Sequence, residues 1–224
     1  MNAALSSATP GMDRRERSYA EQRAHTAACL RLLLDKRAQD WSAVRIADIG
    51  CGKGDWLRTF LDWGVPPEHL TGIDTDAARL QLAAVRAPGT QLFRADCRML
   101  PLAGGSFDMV TQFTLFTSLL DPDVRKQAAQ EMTRIVKPGG VIVWYDFFAP
   151  NPLNPNTRPV GLGELADLFP GCSIDAERIT FAAPIARMIA RVSKRAASAA
   201  NRSDLLSTHY LALIAPIRGG ASHE

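Results

Sequence analysis

Apolar residues fall at two different periods along this chain, and the two alternate. From Arg14 to Arg37 the residues favour helix, with Ala28, Leu32 and Leu33 at helical spacing on one face. "VRIADIG" (44–50) is a short unbroken apolar run closed by glycine, the signature of a buried strand. "DWLRTFLDWG" then reads as a helix stopped by Gly64, with Pro66 and Pro67 beyond it. "HLTGID", ending at Asp74, is a second strand, and the helix "TDAARLQLAAVRA" follows, with Thr75 or Asp76 at its cap. "TQLFRAD", ending at Asp96, is a third strand and "SFDMVTQFT" a fourth. A polar helix from Pro122 to Val136 stops at "KPGG", a tight turn before the apolar fifth strand "GVIVWYDFF". "APNPLNPNTRPVG" is too rich in Pro and Asn for helix or central strand. A short helix (162–169), a strand at 173–182 and a last strand "THYLALIAPI" complete the chain.

Strands that alternate with helices and are apolar throughout predict an α/β fold: a doubly wound, mostly parallel sheet covered on both faces. The two late strands are expected to be joined as a hairpin, so at least one runs antiparallel. In such sheets ligands sit beyond the carboxyl ends of the strands, near the point where strand order reverses. The residues that close each strand therefore carry the functional reading.

The first strand closes on "DIGCGKGD", which places Gly50, Cys51, Gly52 and Gly54 in the turn. Its spacing is not the G-x-G-x-x-G of a dinucleotide site, and Asp48 and Asp55 are poor neighbours for phosphate. Asp48 suits an ammonium group instead. Asp74 stands where it can accept from both hydroxyls of a ribose, and Asp96 where it can accept from an exocyclic amine such as that of adenine. An amino-acid end, a ribose and an adenine without phosphate describe S-adenosylmethionine.

At these residues the sequence resembles the class I S-adenosylmethionine-dependent methyltransferases. The pieces that carry the likeness are "IADIGCGKGD", "LTGIDTD", "RADCRMLP", "SFDMVTQFTLF" and "IVKPGGVIVWYDF", covering roughly 44–148. The resemblance implies a seven-stranded Rossmann-like sheet with an antiparallel last strand. It implies a glycine loop against the methionine part, Asp74 with Thr75 at the ribose, and Asp96 with the Cys97 backbone at the adenine. It also implies that Gln112 and Phe113 lie near the methionyl end.

Methyl transfer from a sulfonium needs alignment more than acid–base groups, so a strong catalytic signature is not expected. The N/D-P-P-Y/F/W tetrapeptide of many amino and nucleobase N-methyltransferases is absent. A hydroxyl oxygen of a small molecule, glycan or natural product is the expected acceptor. The alternatives are N- or C-methylation of a lipid-linked or quinone-like acceptor, and a non-catalytic binding protein on this fold. Asp146 is a candidate general base, or else fixes the loop that follows it, and His209 is the rival base. Tyr145, Asn151, Asn154 and Arg158 are candidate acceptor contacts. "WYDF…NP.N" with a final "THYLALI" resembles an uncharacterised bacterial methyltransferase group that accompanies glycan or secondary-metabolite assembly.

Composition adds bounds. The 224 residues, 46% hydrophobic and 22% charged, fit one methyltransferase domain at 41–224 with a helical extension at 1–40. Acceptor-side insertions are expected at about 149–163 and 183–206. The net charge of +3 is too small to argue for nucleic acid. Its excess is local: six basic residues and no acid lie between Arg178 and Arg202. Ile185, Met188, Ile189 and Val192 make 184–200 an amphipathic basic helix, a candidate for peripheral membrane contact. The four cysteines and four histidines show no metal or disulfide spacing, so reduced thiols and no metal are expected. No signal peptide or apolar run long enough for a membrane span is visible, and a cytoplasmic protein is the expectation.

Overall fold

A computed structural model describes residues 14–35, 40–150, 154, 156–181 and 207–217. The chain divides into two units, one of residues 1–38 and 179–207, the other of 39–178 and 208–224. In the first, α1 runs from Arg14 to Asp35. Its buried stripe is Thr26, Leu30 and Leu34, four residues apart, while Leu32 is 67% exposed. This corrects the face expected from Ala28, Leu32 and Leu33: the i, i+4, i+8 row that is buried contains a threonine, which an apolar count overlooks. The basic helix expected at 184–200 lies outside the described residues, as does Asn151.

Seven strands form one sheet: β1 (Ile46–Ile49), β2 (Leu70–Asp74), β3 (Gln91–Arg94), β4 (Phe107–Phe113), β5 (Val136–Phe147), β6 (Cys172–Phe181) and β7 (Ser207–Pro216). Their order is β3-β2-β1-β4-β5-β7-β6. The pairs β1·β2, β2·β3, β1·β4 and β4·β5 are parallel, and β7 runs antiparallel to β5. Strand order reverses between β1 and β4, so the ligand crevice opens over those two strands. The "KPGG" segment is not a turn ahead of the fifth strand. It lies inside β5, which starts as soon as helix α4 (Pro122–Ile135) ends. The pairing of β4 with β5 slips between Phe107 and Met109, and Gly139 takes φ 86° within this irregular stretch.

Helices α2 (Asp55–Asp62) and α3 (Ala77–Arg86) cross over one side, α4 and α5 (Leu162–Leu168) over the other. The second side holds the main core, where Met132, Ala128 and Ala129 of α4 and Leu165 and Leu168 of α5 pack on Ala47, Val110, Ile142 and Trp144. β3 is an exposed edge strand rather than a buried one. None of the four cysteines is in a disulfide. Among the described residues no helix is long and apolar enough to cross a membrane, and no cluster of His, Cys, Asp or Glu is placed to hold a metal.

Gly72 of β2 faces α2 where there is no space for a side chain. A Cβ there would lie 2.7 Å from Leu57 Cδ1, 2.8 Å from Leu92 Cδ2 and 2.9 Å from Cys51 Sγ. Gly72→Ala is expected to cost about 1–3 kcal/mol through overpacking. A urea titration checks this, and an unchanged midpoint would show that the three neighbours move aside freely.

Candidate active site

The alternation of side chains along the strands sorts the candidate residues by face. Asp48 is registered with Thr111 and Thr111 with Val143, while Phe113 is registered with Tyr145 and Phe147 with His209. Asp48, Thr111, Phe113, Tyr145 and His209 therefore share the face that carries α2. Gln112 and Asp146 are one residue out of phase and lie on the opposite face.

Asp48 is 2% exposed, and its one described hydrogen bond comes from Thr111 Oγ1 at 2.8 Å. Burial, with help from the nearby Asp74 charge, raises its pKa to about 7. A buried carboxylate with a single hydroxyl partner stands ready for a cation.

Beside it the glycine loop is pulled onto β2. Gly50 and Cys51 both donate their N–H groups to the Ile73 carbonyl, at 2.8 and 2.9 Å. Gly54 has φ +78°, and a Cβ on it would lie 2.9 Å from the Ala83 backbone, so only glycine lets α2 and α3 meet here. Gly52 has φ +55° with nothing within 4 Å of its absent Cβ, leaving an open cradle on the loop. Burial, with the nearby Asp48 and Asp74 charges, pushes the Cys51 thiol above the ordinary thiol range.

Asp74 is buried and accepts from Gly52 N–H on one oxygen and Asp76 N–H on the other, both at 2.9 Å. Each oxygen keeps a lone pair, enough for the two hydroxyls of a ribose. Thr75 is exposed next to it, and Asp76 is the residue that caps α3. Asp96, half-buried, is held by Arg98 through both oxygens at 2.7–3.0 Å, which keeps its carboxyl below the ordinary carboxylate range. Burial raises the neighbouring Cys97 thiol to about 11.

On the other face, Gln112 spends its amide on shaping the turn after β4. It accepts from Leu115 N–H at 2.9 Å and donates to the Tyr145 carbonyl at 3.4 Å. Asp146 accepts from Thr117 N–H at 3.2 Å and Phe147 N–H at 2.9 Å, and burial raises its pKa to about 6. Between these two anchors Thr114 is held at φ 61°, a left-handed conformation that costs a β-branched residue about 1–3 kcal/mol.

The acceptor-side segment is fastened by a residue the sequence reading passed over. Arg125 of α4 is 0% exposed and donates to the Leu119 carbonyl at 2.6 Å, Glu164 at 2.8 Å and the Arg158 carbonyl at 2.7 Å. Arg158 turns its backbone N–H to the Thr117 carbonyl and its guanidinium toward Glu164, while Asn154 is exposed in a local turn. The signal for Arg125 was present: it stands three, four and seven residues before Ala128, Ala129 and Met132, on the buried stripe. Thr111 and Trp56 were also missed, the first hidden by its neutrality, the second by its place inside a helix.

Residues 46–140 match the methyltransferase domain. Over this segment, from β1 into β5, the chain is similar to the class I S-adenosylmethionine-dependent methyltransferases. It is 26% identical over 108 residues to the ubiquinone/menaquinone biosynthesis C-methyltransferase of Campylobacter jejuni, a match covering 46% of this chain and 45% of that protein. It is 30% identical over 106 residues to the demethylmenaquinone methyltransferase of Renibacterium salmoninarum, covering 47% and 42%. The aligned part thus spans less than half the length of either relative. In fold it is similar to an S-adenosylmethionine-dependent methyltransferase of Archaeoglobus fulgidus, with TM-score 0.62, 18% identity and coverage of 91% and 99%.

The matched methyltransferase domain makes S-adenosylmethionine the cofactor, and the residues present fit it. The solitary buried Asp48 matches an ammonium, the open cradle at Gly52 a close-lying chain, and the spare lone pairs of Asp74 a ribose.

A raised Asp48 pKa means that the folded chain holds a proton the unfolded chain releases near pH 4. The contribution of Asp48 to stability is then highest below pH 4 and is lost as pH rises to about 7. Without ligand, Asp48→Asn is expected to gain stability over the wild type progressively across that window, measured by urea midpoints at several pH values. A pH-independent difference would contradict the assignment.

Proposed function

We propose that this chain transfers a methyl group from S-adenosylmethionine to a small-molecule acceptor, with a hydroxyl oxygen as the receiving atom. The observation that carries the reading is the joint presence, at one topological switch point, of the solitary buried Asp48, the open Gly52 cradle and the half-satisfied Asp74. When bound, the cofactor supplies a sulfonium methyl with a neutral thioether as leaving group.

The chain's own part is to bind, align and keep water out. Asp48 holds the methionyl ammonium and Asp74 the ribose. Asp96 and the Cys97 backbone hold the adenine. His209, on the same face as Asp48 and 1% exposed, is our proposed base for the hydroxyl proton as the O–C bond forms and the S–CH₃ bond breaks. Its ring stacks on Tyr145 at 4.8 Å and 11°, and its Nδ1 lies 2.9 Å from Thr208 Oγ1, which fixes the imidazole plane. Asp146, on the far face, acts through position: it anchors the turn at Thr117 and with it the segment carrying Arg158. The activities named for the two bacterial relatives favour a second reading, in which the receiving atom is a ring carbon of a quinone-like acceptor.

Tritiated S-adenosylmethionine, screened against panels of glycosides, phenols and quinols, tests the reading. Labelled methyl in a glycoside or phenol ether supports it; label on carbon moves the assignment to the second reading. With the acceptor found, His209→Asn is expected to lower kcat by about 10²- to 10⁴-fold while S-adenosylhomocysteine affinity stays the same. Asp146→Asn should chiefly affect acceptor KM and stability. An unchanged kcat in His209→Asn removes the base assignment, and no methylation of any panel leaves the proposed activity without support.

A further inference from the structure

Trp56 and Phe113 stack with ring centroids 3.6 Å apart and planes 8° from parallel. One opens α2 two residues after Gly54; the other closes β4. Both are half-buried, so the pair is only partly covered by its neighbours, among them Phe60 beside Trp56 and Tyr145 beside Phe113. Phe113 lies on the Asp48 face, two residues beyond Thr111, which places it about 7 Å further along the strand. In an extended methionyl chain the sulfur lies about 5 Å from the nitrogen over four bonds, and the ammonium sits a further hydrogen bond of about 2.8 Å from its carboxylate. A ligand held by its ammonium at Asp48 and running along β4 therefore brings its sulfur level with this ring pair.

The charge environment agrees. The acid nearest Trp56 in sequence, Asp55, is already paired with Arg86 at 2.8 Å, and Asp48 and Asp74 are taken up by the ammonium and the ribose. A sulfonium at this level meets ring faces, whose negative quadrupole attracts a cation. A ring face is also safer than a carboxylate, which would compete for the methyl group. The ring is held firmly: Thr114 N–H donates to the Tyr145 carbonyl at 2.8 Å, and the Gln112 side chain pins the following residue.

We propose that the stacked Trp56–Phe113 pair is the sulfonium-recognition wall of the cofactor site, distinguishing the charged methyl donor from its neutral thioether product. The proposal rests on the reading of this crevice as the S-adenosylmethionine site. A wall selective for the cation favours exchange of product for fresh cofactor.

Isothermal titration of the full chain with S-adenosylmethionine, its ammonium analogue sinefungin and S-adenosylhomocysteine tests it. Trp56→Leu is expected to lower affinity for the two cationic ligands by about 2- to 10-fold relative to the thioether. Trp56→Phe, which keeps a ring, is expected to retain the wild-type ratio. Phe113→Leu gives an independent variant should Trp56→Leu fold poorly, with melting temperature as the control. Equal loss for all three ligands makes the pair mere packing and overturns the proposal. Failure of all three to bind the wild type overturns the cofactor reading itself.

Discussion

A carboxylate buried at the end of β1, with one threonine hydroxyl for company, is the constraint around which this site is arranged. Ionising it inside the protein is unfavourable, and only a cation brought next to it removes that cost. Everything adjacent defines which cation can arrive. The glycine loop is held against β2 by two N–H groups on one carbonyl, and Gly54 lets α2 and α3 close around it. Asp74 sits at the next strand end with room for two more hydrogen bonds. The ligand that completes these groups has an ammonium, a chain lying flat on glycine and a vicinal diol.

The sheet's period of two divides the work between its faces. On the Asp48 face stand Thr111, Phe113, Tyr145 and His209, the groups we propose to meet cofactor and acceptor. On the other, Gln112, Asp146 and Thr117 shape the turn after β4 and the approach of the acceptor-side segment, and Arg125 ties that segment to α4. A buried arginine with three acceptors is costly to assemble and more costly to break. Its placement shows that the position of residues 156–160 is under structural control and is not left to the loop's own preferences.

Much of this was legible from the residues alone. Asp48 within β1, Asp74 at the end of β2 and Asp96 two residues past β3 were found from the strand-like runs that carry them, and the doubly wound sheet from the alternation of those runs with helices. What stayed hidden depends on phase and partners. A strand's direction along the chain does not say which face Tyr145 and Asp146 take, and the register with β4 and β7 decides it. "KPGG" reads as a turn because Pro and Gly break regular structure, yet a register slip absorbs them within β5. Leu32 reads as core because it is apolar, yet the buried stripe of α1 runs through Thr26.

The central claim is that Asp48 receives the ammonium of the cofactor, and proton linkage measures it directly. Titrations of S-adenosylhomocysteine at pH 6.5, in buffers of different ionisation enthalpy, report protons released or taken up on binding. Asp48, with its pKa raised to about 7, is about three-quarters protonated there, so binding is predicted to release about three-quarters of a proton, and Asp48→Asn to release none. Tight binding with no proton release by the wild type would contradict the account.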